Sequence, residues 1–90
     1  MYKLTLNIYP ISDCGEDLTK GEPLEVSYKG NTLEAMKLAI NNTIIAVMAL
    51  HNADGEAFVE MHIEKDGKYY DHDEATVFVD LKNNTIKYEI

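Results

Sequence analysis

Residues 31–50 read NTLEAMKLAINNTIIAVMAL, and the secondary structure of this stretch decides the fold class of the chain. Asn31 is a suitable N-cap, and Glu34 follows three residues later in a capping-box arrangement. At 100° per residue, the large apolar side chains fall on one stripe made of Leu33, Met36, Ile40, Ile44 and Val47. The pattern therefore predicts a single helix from Thr32 to about Leu50.

An alternative interpretation ends the helix in the middle of this stretch. Asn41 and Asn42 are weak helix formers, and the β-branched run from Thr43 to Ile45 favours a strand that would turn at Asp54-Gly55. The apolar stripe nevertheless keeps its phase across both asparagines, which favours the continuous helix.

Strands are predicted on both sides of the helix from alternating apolar residues. The segment 10–23 is rich in Asp, Glu, Gly and Pro and is predicted to be a long loop or a loose hairpin extension. The predicted strands are Tyr2–Tyr9, Leu24–Tyr28, Ala57–Lys65, Ala75–Leu81 and 85–90, with a short extra strand possible after Gly67. The chain is thus expected to be one α+β domain, residues 1–90. Its mostly antiparallel sheet of about five strands would carry one long helix on one face, in the order β-β-α-β-β-β.

Two turn signals fix the expected strand registers. Asp66-Gly67 predicts a two-residue hairpin turn, because both residues tolerate positive φ, and this turn places His62 opposite Asp71. Asn83-Asn84 predicts a second two-residue turn, with three apolar pairs on one face: Leu81 with Ile86, Val79 with Tyr88 and Val77 with Ile90.

The charge of the chain is strongly acidic, with a formal net charge of -8 from 16 acidic and 8 basic residues. Every basic residue is Lys, so the bidentate guanidinium fork that recognises phosphate is missing. This composition argues against direct binding of nucleic acid or of an anionic membrane. The segment from Asp54 to Asp80 contains nine carboxylates and only two lysines. Such a stretch favours a basic partner, and it also serves solubility.

No catalytic or metal-binding set emerges from the sequence. Cys14 is the single cysteine, and its acidic neighbours Asp13 and Glu16 disfavour the reactive thiolate. His62 and the run Asp71–Glu74 contain ligand types, but alternation along a strand separates them between two faces. We therefore expect a non-enzymatic protein without cofactor or metal. The lone cysteine fits a reducing cytoplasmic setting, and no apolar run reaches the length of a membrane span.

Two surfaces are predicted as candidate interfaces. The first combines carboxylates and aromatic residues on the outward face of the strands after the helix, where Asp71 and Asp73 are expected to extend the face of Glu60 and Glu64. Its predicted protein-binding residues are Phe58, Glu60, His62, Glu64, Asp71, Asp73, Glu74 and Phe78. The second surface lies off the main stripe of the helix and would form a homodimer seam through Leu38, Ile45 and Ala49.

In size, charge and lack of a catalytic motif, the chain resembles small acidic inhibitors encoded by phages and mobile elements, such as anti-CRISPR and anti-restriction proteins. The resemblance is one of general character and transfers no residue roles. It implies an acidic interaction protein that occupies the basic nucleic-acid-binding surface of a partner protein or a nucleic-acid-handling complex. The alternative is a small homo-oligomer that binds a metabolite or nucleotide between its subunits.

Overall fold

Five strands and one helix follow one another in the predicted order, which makes the chain an α+β protein. The structure is a computed structural model, and it describes residues 1–11 and 22–89. Most of the loop predicted at 10–23, including Cys14, lies outside the described residues. The elements are β1 (Tyr2–Pro10), β2 (Leu24–Gly30), α1 (Leu33–Leu50), β3 (Gly55–Lys65), β4 (Lys68–Asp80) and β5 (Thr85–Glu89).

The strands form one antiparallel sheet in the order β2-β1-β3-β4-β5. The two central strands alternate as predicted, and Leu6 of β1 lies opposite Met61 of β3. Each strand directs its buried apolar side chains to the same face, where the core forms against α1. The fully buried strand residues are Leu4, Leu6, Ile8, Pro10, Ala57, Val59, Val77 and Val79.

The helix is continuous through the two asparagines, so the strand alternative for residues 43–50 is wrong. Its buried side chains are Met36, Ile40, Ile44, Val47 and Met48, which confirms the predicted stripe and adds Met48. The N-cap is Thr32 and not Asn31, since the hydroxyl of Thr32 accepts the backbone N–H of Ala35 at 3.2 Å. Thr32 has the extended backbone of a cap (φ -128°, ψ 146°), and threonine is among the preferred N-cap residues, although it ranks below asparagine.

Two tyrosines connect the helix to opposite edges of the sheet. Tyr28 of β2 donates its hydroxyl to the carbonyl of Met36, and Tyr88 of β5 donates to Oδ1 of Asn41. Burial raises the pKa of both phenols. The helix therefore crosses one face of the sheet from β2 to β5.

By length and composition, α1 is apolar enough to cross a membrane. The core helix of a globular domain satisfies the same criterion, and α1 directs its buried stripe at the sheet.

The hairpin between β3 and β4 differs from the predicted register. The turn forms at Asp66-Gly67 with positive φ at both residues, and Glu64 lies opposite Tyr69 as a two-residue turn requires. The register then shifts by one residue in a β-bulge, and Tyr70 is the extra residue. Beyond the bulge His62 lies opposite His72, so the predicted pairing of His62 with Asp71 is wrong.

The bulge has a physical cause in the apolar pattern. The buried residues of β3 and β4 are all odd-numbered, and Ala57 must lie opposite Val77 for both to reach the core. A two-residue turn at Asp66-Gly67 instead pairs odd-numbered with even-numbered residues. One extra residue reconciles turn and core, because a shift of one position exchanges the two faces of a strand.

The connection from β4 to β5 is longer than the predicted two-residue turn. Val79 lies opposite Ile86, and Val77 lies opposite Tyr88, so the predicted pairs are wrong by two positions. Asp80 stabilises the longer turn by accepting hydrogen bonds from the backbone N–H of Asn83 at 3.2 Å and from its side-chain amide at 2.7 Å. A shift of two positions leaves every side chain on its predicted face.

Candidate functional site

The face of the sheet opposite α1 is covered by none of the described residues, and we call it the open face. It carries the residues that alternate with the core positions in all five strands. Its charged side chains are seven carboxylates and three lysines: Glu25, Glu56, Glu60, Glu64, Glu74, Asp80 and Glu89, with Lys3, Lys29 and Lys87. The face is therefore negative overall.

One line of residues across four strands holds the densest group of acceptors on this face. Glu25 lies opposite Asn7, Asn7 lies opposite Glu60, and Glu60 lies opposite Glu74. We call these four residues the acidic row. The side-chain oxygen of Asn7 is buried and has no hydrogen-bond partner. Among the described residues, no cation lies within ion-pair distance of Glu60 or Glu74. The row thus offers acceptors without matching donors.

Aromatic side chains lie next to the acidic row. Tyr9 and Phe58 are directly opposite each other, and their ring centroids are 6.1 Å apart. Phe78 lies further along β4, between Glu56 and Lys87, and is 49% exposed. The predicted outward position of both phenylalanines is confirmed. An exposed ring beside carboxylates, such as that of Phe78, is typical of a protein interface, in which it supplies contact area.

The two histidines of the hairpin face each other on the open face. The nearest carboxylate of His62 is Glu64, with 3.9 Å between Nε2 and Oε1, and its ring centroid lies 5.6 Å from that of Tyr69. Within residues 1–11 and 22–89, no group of three or more His, Cys, Asp and Glu side chains is placed to hold a metal ion. His62 and His72 are therefore surface residues that border the acidic row.

Asp71 and Asp73 lie on the helix side of the sheet, which corrects their predicted place on the outer face. Directly opposite residues share a face, and Asp71 and Asp73 lie opposite Ile63 and Met61, both of which point into the core. The bulge at Tyr70 is the cause, since it exchanges the two faces of the hairpin. Both aspartates border a shallow groove of about 90 Å³ between the hairpin and Lys37 of α1.

The predicted interface residues of the helix separate into two environments. Leu38 is 79% exposed and Ala49 is exposed, as expected for positions off the buried stripe. Ile45 is half-buried and packs against the core, which corrects its predicted place on a free surface. Leu50, which is not among the predicted interface residues, is 81% exposed at the end of the helix.

Sequence reasoning missed Glu25, Asn7 and Tyr9 as parts of the open face. All three occupy polar or outward positions of β1 and β2, so the alternation alone marks them as outward. Their position beside Glu60 and Phe58 depends on β1 lying next to β3, and the order of strands in the sheet is not a local property of the sequence.

Two small cavities are lined by described residues. The larger one, of about 170 Å³, lies at the hairpin end of the sheet and is lined by Lys3, Lys29, Glu64 and Asp66 among others. Sites for drug-sized ligands occupy about 300–1,000 Å³. Both of these cavities are therefore smaller than a typical site for a drug-sized ligand.

Comparison with known proteins gives no match: no family model, no curated protein and no solved structure is significantly similar to the chain.

Proposed function

We propose that this chain is a non-enzymatic, cytoplasmic interaction protein that binds a basic protein surface through its open face. The surface would be one that normally holds nucleic acid, so the chain would act as an inhibitor of the anti-CRISPR or anti-restriction type. The observation that carries the proposal is the direct opposition of Glu60 and Glu74 on the uncovered face without a neutralising cation among the described residues.

Opposed like charges lower the stability of a sheet by about 0.2–1 kcal/mol per pair. Glu60 and Glu74 therefore cost folding energy in the isolated chain. A cationic partner would convert this repulsion into attraction, because its lysine or arginine side chains would lie between the two carboxylates. Asn7 adds an acceptor in the same line. The acidic row is thus better suited to a complex than to the free protein.

The spacing of the carboxylates supports a partner surface that normally binds nucleic acid. Carboxylates on one face of a strand are about 7 Å apart at alternate positions, and neighbouring strands are about 4.8 Å apart. Phosphates along one strand of nucleic acid have a comparable separation of several ångströms. A groove whose lysines and arginines are spaced for phosphates would therefore also meet the carboxylates of the open face.

The aromatic residues would supply the apolar part of the interface. Phe78 and the Tyr9–Phe58 pair lie beside the acidic row and not within it. Protein complexes take most of their affinity from such buried anchors, whereas charged groups around them accelerate association and select the partner.

The test is capture of partners from host lysate with the tagged chain, followed by washes at rising salt and by addition of duplex DNA. We expect one basic protein or complex that is released by salt and displaced by DNA, since both would compete for the same contacts. The doubly substituted variant Glu60→Lys, Glu74→Lys should lose this partner.

The matched control is Glu22→Lys with Glu34→Lys, which makes the same change of net charge at exposed positions outside the five strands. It should retain the partner. Equal loss in both double variants would show that only net charge matters, and unchanged capture by the Glu60, Glu74 variant would refute the proposed face.

A second candidate function is a homodimer that binds a metabolite or nucleotide between its subunits. The observation in its favour is the exposed apolar surface of α1, where Leu38 and Leu50 are 79% and 81% exposed. Sedimentation of the wild type and of Leu38→Glu at high concentration tests it. A dimer that Leu38→Glu dissociates supports this function, and a wild-type monomer excludes it.

A further inference from the structure

The N-terminal half of β4 is an open edge of the sheet. β3 pairs with β4 from Lys68 to Val79, but β5 pairs only with Thr76–Asp80. Along Lys68–Glu74, which we call the edge half, no described strand lies on the outer side. An unpaired edge presents a row of backbone N–H and C=O groups on which another strand can pair.

The outward backbone groups of the edge half can be assigned from the ladder. The carbonyl of Glu56 in β3 accepts the N–H of Ile11 at 2.8 Å, so even-numbered residues of β3 direct their backbone groups at β1. Odd-numbered residues of β3 therefore face β4, where their opposite residues are Asp71 and Asp73. By the same alternation, the backbone groups of the residues that follow each aspartate, His72 and Glu74, point away from the sheet.

Both outward N–H groups are occupied by neighbouring carboxylates. The N–H of His72 donates to Oδ1 of Asp71 at 2.8 Å, and the N–H of Glu74 donates to Oδ1 of Asp73 at 2.9 Å. A strand that added to this edge would take over these donors through its carbonyls. Water would replace the backbone hydrogen bonds of these two exposed carboxylates, and cationic donors on the incoming strand would bind them more strongly than water does.

This exchange selects the chemistry of the incoming strand. A second copy of the chain, paired edge to edge, would bring its own Asp71, Asp73 and Glu74 against the same residues, and like charges oppose pairing. A neutral strand would offer the freed carboxylates nothing. A strand with lysine or arginine side chains would give each of them a cation, and would meet Glu74 on the open face as well.

We propose that an extended, lysine- or arginine-rich segment of the partner adds to the edge half of β4 as a sixth strand. The inference rests on the proposed function, because it specifies which part of a basic partner the chain contacts and how. The other edge strand, β2, carries one carboxylate, Glu25, and one lysine, Lys29, so it lacks this selectivity.

The experiment uses the full chain labelled with ¹⁵N and a blocked synthetic peptide of eight alternating lysine and threonine residues, at low salt. We expect the largest amide shifts and a gain of hydrogen-exchange protection at His72 and Glu74. Two further peptides carry N-methyl groups on alternate residues, at the odd positions in one peptide and at the even positions in the other. The peptide whose N-methyl groups block strand pairing should bind at least about tenfold more weakly than the parent peptide, because it loses backbone hydrogen bonds and keeps its charge.

A matched pair of variants separates edge pairing from charge. Asp71→Asn with Asp73→Asn should weaken binding of the lysine peptide, whereas Glu22→Gln with Glu34→Gln, which removes the same charge elsewhere, should not. If both N-methylated peptides bind as well as the parent, strand addition is refuted, and the proposed function survives as charge attraction to the open face. Failure of the proposed function itself would appear in the capture experiment, as unchanged partner binding by the Glu60, Glu74 variant.

Discussion

The two halves of β4 belong to one continuous strand and have opposite surroundings. The C-terminal half, Ala75–Asp80, lies between β3 and β5, and its residues Val77 and Val79 are fully buried. The edge half, Lys68–Glu74, has β3 as its only described neighbour, and every residue in it is exposed. Both halves pair with β3, although the edge half contains the bulge at Tyr70, so pairing with β3 alone does not explain why one half holds the core.

The difference shows where the stability of this chain is located. Apolar burial stabilises a domain by roughly 25 cal/mol per Å², and the edge half buries little apolar surface. It carries instead three carboxylates that repel one another and a backbone edge without a described partner. The C-terminal half therefore maintains the fold, whereas the edge half contributes little to it.

The largest effect is expected from the buried half. Val77→Ala should lower the free energy of unfolding by about 2 kcal/mol, since it removes buried methyl groups between Ala57 and Tyr88 and leaves a cavity. Urea denaturation followed by circular dichroism measures the change. Asp73→Ala in the edge half is the matched control and should change stability by less than about 0.5 kcal/mol. Similar losses in both variants would remove the distinction between the halves.

The next effect concerns the bulge that separates the hairpin tip from the rest of the strand. Deletion of Tyr70 should leave a regular two-residue hairpin with every later residue of β4 on its present face. The expected cost is about 1 kcal/mol, because Tyr70 contacts the ring of Tyr2 at 5.6 Å and the ammonium group of Lys65 at 6.0 Å.

Tyr70→Ala is the control for this deletion, since it removes the ring contacts and keeps the bulge. Both variants should retain cross-strand nuclear Overhauser effects between Met61 and Asp73 and should have similar stability. A deletion variant that unfolds while Tyr70→Ala stays folded would show that the bulge itself is required.

The bulge also marks the limit of what the sequence allowed us to predict. The helix, the order of elements and the core face of each strand follow from local periodicity, and all of them are confirmed. The predicted face of Asp71 is wrong because the prediction relies only on the register that a two-residue turn at Asp66-Gly67 sets. The sequence does contain a sign of the bulge, since a two-residue turn cannot place Ala57 opposite Val77. This conflict is visible only when the turn and the apolar pattern of both strands are compared.

The candidate site was predictable only in part for a different reason. Glu60, Phe58 and Phe78 were identified on the outward face because alternation within one strand reveals it. The acidic row needed Glu25 and Asn7, which are distant in sequence and reach Glu60 only through the strand order. The turn after β4 was also mispredicted, because the side-chain hydrogen bonds of Asp80 favour a four-residue connection over two residues.

A smaller effect tests the repulsion within the acidic row. Glu74→Lys should raise the free energy of unfolding by about 0.5 kcal/mol, because the new ammonium group lies opposite Glu60. Glu74→Gln, which only removes the repulsion, should lie between the lysine variant and the wild type. The gain should shrink at 1 M salt, where charges are screened within about 3 Å. A lysine variant less stable than the wild type would contradict a cost at this position.

The smallest effect concerns the turn that ends the buried half. Hydrogen bonds from the side chain and backbone of Asn83 hold the pKa of Asp80 below its ordinary value. A carboxyl group with a lowered pKa in the folded state contributes stability above its unfolded pKa and loses it as the pH falls through the folded pKa. Asp80→Asn should therefore flatten the acid side of the stability profile. Urea midpoints between about pH 2 and pH 6 measure this, in a range that spans the ordinary pKa of Asp near 3.9. Identical profiles for the wild type and the variant would mean that the turn does not depend on the charge of Asp80. In that case the C-terminal end of β4 would be set by burial alone.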